Sequence, residues 1–292
     1  MRRVSPDLPR LTQHLTALRV EWAGRRLDSD PLVFPHRYAD DGDREVVAFL
    51  AASLAFGRVA SIQASVSRVL AALGPSPSRA LLDPPALPGF VHRWIREADL
   101  ASFLRAVGEA RAEHGSLGSL FASGDDGGPD FVGALDRFYS ALRPRSGMLS
   151  HGLRFLLPTP GDGSACKRAH LFLRWMVRTG DVDLGLWRGG RFDAARLLLP
   201  LDTHVHRIST YLGLTARKTA DLAASREATA WLRRISPEDP VSFDWSLSRL
   251  GILAECVTER TRRHCERCAV RPVCRVAIHP RTKSPMEARP SP

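Results

Sequence analysis

The sequence feature that most constrains this chain is a set of four cysteines, the four-cysteine group: Cys256, Cys265, Cys268 and Cys274. They lie within 19 residues in the spacing C-x8-C-x2-C-x5-C. Thiolates this close suit one soft-metal centre, so zinc and an iron–sulfur cluster are the candidates. Disulfides or unrelated packing are the alternative, but cysteines two residues apart make a poor disulfide. The fifth cysteine, Cys166, is predicted to be a small buried residue.

The charge balance predicts a polyanionic partner. Lys and Arg number 42 against 31 Asp and Glu, which gives a net charge of +11, and most of the basic residues are arginines. A cationic chain of this kind most simply binds nucleic acid. No apolar run approaches the ~20 residues of a membrane span, and the N-terminus lacks the apolar segment of a signal peptide. Free cysteines in a metal-like pattern suit the reducing cytoplasm, so we expect a cytoplasmic protein. We also expect a monomer with no membrane partner.

Apolar residues recur at helical spacing along most of the chain, which predicts an all-α fold. The first helix, 8–25, carries Leu11, Leu15, Leu18 and Trp22 on one face. Asp43, Ser164 and Asp202 are candidate N-caps of later helices. The other predicted helices cover 45–56, 59–73, 87–95, 98–113, 116–122, 130–142, 225–235 and 244–255.

One part of the chain places four residues of chemical interest in a defined order. Gly161 and Gly163 form a turn whose backbone N–H groups can hold a phosphate. Lys167 lies one helical turn beyond, and Asp202 precedes a later helix within LDTHVHRI. Alone, each residue has an ordinary interpretation as a common turn, a surface lysine or a helix cap. Their order ahead of the four-cysteine group is the informative feature.

That order resembles the helix–hairpin–helix DNA glycosylase superfamily, in particular the endonuclease III branch with its C-terminal [4Fe–4S] cluster. GDGSACKRAHLFL stands at the hairpin and its lysine, and CVTERTRRHCERCAVRPVC stands at the cluster. FLAASLAFGRVASIQASVSRVL resembles the early helix pair, with Phe56 and Arg58 near the loop that fills the gap left by an extruded base. The whole sequence is similar to a bacterial branch of conserved hypothetical, glycosylase-like proteins.

The resemblance implies a two-lobed helix–hairpin–helix fold with a C-terminal metal-cluster loop. Residues 1–42 and 168–276 would form one helical lobe that carries the four-cysteine group. Residues 43–167 would form the second lobe, which ends in a variant hairpin and Lys167. We expect residues 277–292 to be a disordered tail, because they are rich in Pro, Arg and Lys.

The resemblance also implies base excision from double-stranded DNA that carries a damaged base or an abasic site. Lys167 would attack C1′ and form a Schiff base that permits strand cleavage, and the Asp202 carboxylate would stabilise charge on the sugar. The four cysteines would hold a [4Fe–4S] cluster, with zinc as the alternative. The loop between the first two would contact phosphates through three arginines: Arg260, Arg262 and Arg263.

The chain departs from the endonuclease III pattern at three points. The first cysteine spacing is x8 where that branch usually has x6, and two extra residues separate Gly163 from Lys167. The 35 residues between Lys167 and Asp202 are closer to the archaeal 8-oxoguanine glycosylase branch, which lacks the cluster. Lys218 in ARKTA is an alternative nucleophile, although it follows Asp202. A non-catalytic DNA-binding protein that retains the scaffold is the alternative function.

Overall fold

The computed structural model describes residues 6–23, 25, 27–253, 256, 265–266 and 268–278. This part of the chain is mostly helical, with only short two-stranded hairpins, which confirms the predicted all-α class. The proposed phosphate contacts Arg260, Arg262 and Arg263 lie outside the described residues, as does 279–292 of the predicted tail. Every described helix is too short or too polar to cross a membrane.

The elements follow one another in a simple order along the chain. The α-helices are α1 Leu8–Trp22, α2 Asp41–Ser53, α3 Val59–Leu73, α4 Pro77–Ala80, α5 Glu97–His114, α6 Leu117–Ser123, α7 Val132–Arg145, α8 His151–Leu156, α9 Lys167–Val177, α10 Thr203–Leu212, α11 Leu222–Arg233, α12 Asp244–Ile252 and a short final helix, Arg275–Ile278. The strands are β1 Val91–His92, β2 Ile95–Arg96, β3 Thr179–Gly180 and β4 Asp183–Leu184, and they pair as the antiparallel hairpins β1–β2 and β3–β4.

The start of α2 differs from the prediction by a few residues. Asp43 is not the N-cap, because Asp40 has the extended backbone and accepts a hydrogen bond from the Asp43 N–H at 2.9 Å. The carboxylate of Asp43 instead accepts from the Ser78 N–H at 2.7 Å and ties α2 to α4. An acidic residue at either position is favourable near a helix N-terminus, so the sequence pattern fits both.

The helix predicted over 87–95 is wrong, because the β1–β2 hairpin occupies most of this segment. Its turn residue Arg93 has a φ of 54°, in the left-handed region that side chains rarely adopt. His92 is buried, donates from Nε2 to the Phe56 carbonyl at 3.1 Å and meets the Ser65 hydroxyl at 2.8 Å through Nδ1. These bonds to α3 and to the α2–α3 loop stabilise a hairpin that local sequence does not favour.

The core is centred on α2, which packs closely against α9. Its middle residues are buried on all sides, and Phe49 meets four other aromatic rings of the core. Glu45 is also buried and accepts from the N–H groups of Leu117 and Gly118, both at 2.9 Å, and from Trp187 Nε1 at 2.7 Å. Its negative charge therefore lies at the positive N-terminal end of α6. The division into two lobes stays a prediction.

The segment between α8 and α9 sets the position of Lys167. The predicted N-cap, Ser164, lies two residues too early, since the cap position is Cys166 with a left-handed φ of 37°. Ser164 instead forms a β-bridge with Asp221 at the start of α11. Lys167 is consequently the first residue of α9, at the end of the helix where backbone N–H groups are unpaired.

Candidate functional site

The structure brings Lys167 and Asp202 together across 35 residues of chain. Lys167 Nζ lies 3.9 Å from Asp202 Oδ2, with side-chain exposures of 28% and 24%. Each residue is at the N-terminal end of its helix, α9 or α10, and these two helix ends face the same cleft. The separation is short enough for charge attraction and longer than a hydrogen bond, so the amine is not tied to the carboxylate.

The two carboxylate oxygens of Asp202 have different partners. Oδ1 accepts from the N–H groups of His204 at 2.9 Å and Val205 at 2.8 Å, so Asp202 caps α10 as predicted. Oδ2 is the oxygen that faces Lys167. The cap fixes the carboxylate plane, and this leaves one oxygen positioned toward the amine.

The cleft around this pair has a volume of about 690 Å³, within the range of small-ligand sites. Its charged lining residues include five cations and three acids. The cations are Arg58, Lys167, Arg168, Arg174 and Arg249, and the acids are Asp30, Asp202 and Asp244. This excess of positive charge favours an anionic or acceptor-rich ligand.

An aromatic cluster adjoins the cleft through Phe56, which lines it. Phe56, predicted to lie near the loop that fills the gap left by an extruded base, is half-buried. Its ring centroid is 5.2 Å from that of Trp94 and 4.7 Å from that of Phe155. The Arg168 guanidinium lies 3.8 Å from the Phe155 ring centroid and donates to the Ser53 carbonyl at 2.7 Å. Trp94, at the tip of the β1–β2 hairpin, is 37% exposed. Aromatic faces beside arginines are suited to stacking with bases.

A buried ion network lies behind the cleft. Arg174 on α9 donates from Nε and Nη2 to Asp183 at 3.1 and 3.0 Å, and from Nη1 to Asp244. Burial raises the pKa of Asp244, and the Arg174 guanidinium opposes this effect. Burial alone would lower the pKa of Arg178, but Asp183 and Asp239 raise it overall, so Arg178 remains charged. The network joins α9 to α12 beneath the Lys167–Asp202 pair.

The glycine turn is held by neighbouring elements and does not line the cleft. The Gly161 N–H, predicted to hold a phosphate, donates to Asp136 Oδ1 of α7 at 2.9 Å. Gly163 has a φ of 86°, and its carbonyl accepts from the Leu222 N–H at 3.0 Å. A phosphate at this turn would have to replace the Asp136 carboxylate.

The four-cysteine group lies near α10 and α12. The Cys256 N–H donates to the Leu250 carbonyl at 2.7 Å, and Arg207 donates to the Cys256 carbonyl. Burial raises the pKa of Cys268 to about 11, and Cys256, Cys274 and Cys265 raise it further. In the described part of the chain, no three His, Cys, Asp or Glu side chains form a ready metal site.

Lys218, Arg58 and the two histidines of LDTHVHRI differ in how they lie relative to the cleft. Lys218 is exposed in the loop after α10 and does not line the cleft, whereas Arg58 is exposed at its rim. His206 Nε2 bonds to the Arg217 carbonyl at 3.0 Å, and His204 lies against Gly251 of α12, so the two imidazoles diverge. Sequence analysis missed the cleft residues Asp30, Arg174, Asp244 and Arg249. Their charge alone predicts a solvated surface, and only the fold brings them together.

Fold and site together define a mostly helical protein with a cationic cleft around a Lys–Asp pair. A family model described as "Protein of unknown function (DUF2400)" matches residues 30–253, and the chain belongs to this family. The matched segment includes Lys167, Asp202 and every lining residue of the cleft except Ser29, and it ends just before the four-cysteine group. Comparison with curated proteins and with solved structures found no match.

Proposed function

We propose that this protein is a base-excision DNA glycosylase with AP-lyase activity, built on a helix–hairpin–helix glycosylase fold. The observation that carries the proposal is the Lys167–Asp202 pair, 3.9 Å apart inside a cleft of about 690 Å³. A single nucleobase with its sugar fits such a volume. A base inside a duplex is out of reach of any enzyme pocket, so the substrate has to be extruded first.

Lys167 is the proposed nucleophile. Its Nζ lone pair forms a bond to C1′ as the bond from C1′ to the base breaks, and that electron pair leaves with the base, which takes up a proton. Loss of the amine protons and opening of the sugar ring give a Schiff base. Removal of a C2′ proton then expels the 3′ phosphate, which cleaves the strand.

Asp202 is the proposed partner in the first step. Its Oδ2 faces Nζ, where it can accept a proton from the attacking amine or offset positive charge on the sugar. Because Oδ1 is held by two backbone N–H groups, the carboxylate does not rotate away from this position. Pre-oriented charge of this kind lowers the barrier without reorganisation during the reaction.

Double-stranded DNA with a damaged base or an abasic site is the proposed partner. Arg58 at the rim supplies a phosphate contact, and Phe56 and Trp94 supply aromatic faces next to the cleft. The net charge of +11 adds long-range attraction to the duplex. Arg260, Arg262 and Arg263 remain proposed phosphate contacts in the loop between the first two cysteines.

The four-cysteine group is proposed to hold a [4Fe–4S] cluster with a structural role. Four soft sulfur donors in the spacing C-x8-C-x2-C-x5-C suit such a cluster, and zinc remains the alternative. Cys256, Cys265, Cys268 and Cys274 would be the ligands. Anaerobically purified protein should be brown and contain iron and sulfide in equal amounts. Colourless protein that contains only zinc would assign the zinc site.

Borohydride trapping tests the proposed chemistry, because it converts the Schiff base to a stable protein–DNA adduct. The chain has three lysines, Lys167, Lys218 and Lys283, so three single substitutions test every side-chain amine. We expect wild type, Lys218→Ala and Lys283→Ala to trap on a duplex with an abasic site, and Lys167→Ala not to trap. Trapping by Lys167→Ala at the wild-type level would refute the nucleophile.

One observation favours a second function, a non-catalytic DNA-binding protein. The Gly161 N–H that would hold a phosphate is engaged by Asp136, so the hairpin differs from a free phosphate site. This alternative predicts DNA binding that weakens steeply with salt, with no trapping or cleavage on a panel of damaged and abasic duplexes. Such a result would replace the proposed enzyme by a binding protein.

A further inference from the structure

Arg249 on α12 is a buried arginine with unused donors in the wall of the cleft. Its side chain is 1% exposed, and Nη2 is paired with Asp30. Its Nε and Nη1 atoms have no hydrogen-bond partner among the described residues and are closed to solvent, so a ligand group reaches them only when side chains of the cleft wall move aside. Unpaired donors on a buried charge are costly, so a ligand group that satisfies them would be bound strongly.

Two neighbouring buried arginines have Nε, Nη1 and Nη2 all paired. Arg174 and Arg178 each use Nε, Nη1 and Nη2 in hydrogen bonds to carboxylates. Arg249 has one carboxylate partner, Asp30, for the same set of donors. Arg249 therefore has more unpaired donors than Arg174 or Arg178.

The guanidinium of Arg249 is held in place from two sides. Asp30 is itself fixed, since its Oδ1 accepts from the Leu32 N–H at 2.9 Å. The ring of Trp245 lies 4.0 Å from the guanidinium carbon, and Trp245 Nε1 donates to the Trp22 carbonyl at 3.1 Å. A donor group positioned in this way selects ligands by geometry, because it cannot follow a poorly matched one.

Three positions in the cleft differ in their exposure to solvent. Arg58 is exposed at the rim, Lys167 and Asp202 are about one quarter exposed, and Arg249 is almost fully buried. If the sugar of an extruded nucleotide reacts at Lys167, its phosphates remain toward the rim and its base points inward. The group that meets Arg249 is then the base and not the backbone.

We propose that Arg249 recognises the extruded base through a carbonyl oxygen, and so makes carbonyl-bearing bases the substrate class. This inference rests on the proposed glycosylase function. A guanidinium only donates, so it pairs with the oxygen of an oxo-purine or an oxo-pyrimidine. Adenine-type bases have no carbonyl oxygen and would leave the donors of Arg249 unpaired, which disfavours their binding.

The test compares base excision with trapping on an abasic site, where no base is present. Wild type, Arg249→Lys and Arg249→Met are assayed on duplexes that carry uracil, hypoxanthine, 8-oxoguanine or 3-methyladenine, and on an abasic duplex. Arg249→Lys keeps a charge opposite Asp30, and thermal unfolding confirms that each variant is folded. Arg178→Lys is the matched control, because Arg178 is buried and ion-paired but does not line the cleft.

We expect wild type to excise at least one carbonyl-bearing base and not 3-methyladenine. Both Arg249 variants should lose about tenfold or more in excision relative to abasic-site trapping, and Arg178→Lys should keep the wild-type ratio. A wild-type ratio in both Arg249 variants would refute the inference. An equal loss of excision and trapping would also refute it and assign Arg249 to a phosphate. Absence of trapping by the wild type would instead refute the proposed function itself.

Discussion

Replacement of Asp202 separates its structural role from its proposed chemical role. Asp202→Asn keeps an oxygen that can cap α10, whereas Asp202→Ala removes both the cap and the carboxylate. In the structure, Oδ1 caps the helix through His204 and Val205, and Oδ2 alone faces Lys167. The two variants should therefore have similar losses of activity but different stabilities.

The expected magnitudes follow from these contacts. Loss of an N-cap costs about 1 kcal/mol, and Asn is as good a cap as Asp. The partly exposed ion pair with Lys167 contributes ~0–1 kcal/mol. We expect Asp202→Ala to lower the melting temperature by roughly 2–4 °C for each kcal/mol lost, and Asp202→Asn to lower it less. Removal of the carboxylate should slow strand cleavage on abasic DNA by roughly 10²–10⁴-fold in both.

Two assays decide the outcome. Thermal unfolding measures the cap, with Ser116→Ala as the matched control, since Ser116 caps α6 through the Ser119 N–H at 2.9 Å away from the cleft. Single-turnover cleavage of an abasic duplex measures the carboxylate. Wild-type cleavage by Asp202→Asn would refute the chemical role of Asp202. Equal melting temperatures for the Asn and Ala variants would refute the reasoning about the cap.

Two further predictions concern buried titratable side chains, those of His170 and Glu45. Burial lowers the pKa of His170 from 6.5 to about 4, so its imidazole binds a proton at higher pH in the unfolded chain than in the folded one. The free energy of unfolding therefore falls as pH drops from 6.5 toward 4. Urea unfolding should show that His170 lowers the free energy of unfolding by about 2 kcal/mol between about pH 7.5 and pH 5. The His170→Leu variant should lack that part of the decrease. Glu45→Ala should destabilise by roughly 3–5 kcal/mol in denaturant unfolding, because the N–H groups of Leu117 and Gly118 lose a buried charged acceptor. Exposed Glu109→Ala should change stability by less than ~0.5 kcal/mol, and a similar effect of both variants would contradict the argument.

Local periodicity predicted the long helices well, because each has one apolar face that must be buried. The helix predicted over 59–73 matches Val59–Leu73, and the stripe from Leu11 to Trp22 is buried in α1. The hairpin over 91–96 escaped prediction because its stabilising contacts are distant in sequence. Its buried His92 bonds to Ser65, 27 residues away, and to the Phe56 carbonyl, 36 residues away.

The sequence predicted only those cleft residues whose order along the chain resembles a known pattern. Lys167 and Asp202 were selected by their order in the chain, and the structure places them 3.9 Å apart, a distance that no local pattern contains. Arg174 and Asp244 meet across 70 residues, and Arg249 and Asp30 across 219. Charged residues on helices usually face solvent, so a sequence pattern gives no reason to bury these pairs. Their burial depends on how α9 and α12 pack.

The first helix, α1, lies outside the residues that the family model matches. The family match begins at residue 30, yet α1 precedes it and buries four large apolar side chains: Leu11, Leu15, Leu18 and Trp22. α1 packs on α12, where the Trp22 carbonyl receives the indole N–H of Trp245. A fragment trimmed to 30–253 would thus expose the outer face of the helix that carries Asp244 and Arg249. The residues matched by the family model therefore leave out a helix that belongs to the hydrophobic core.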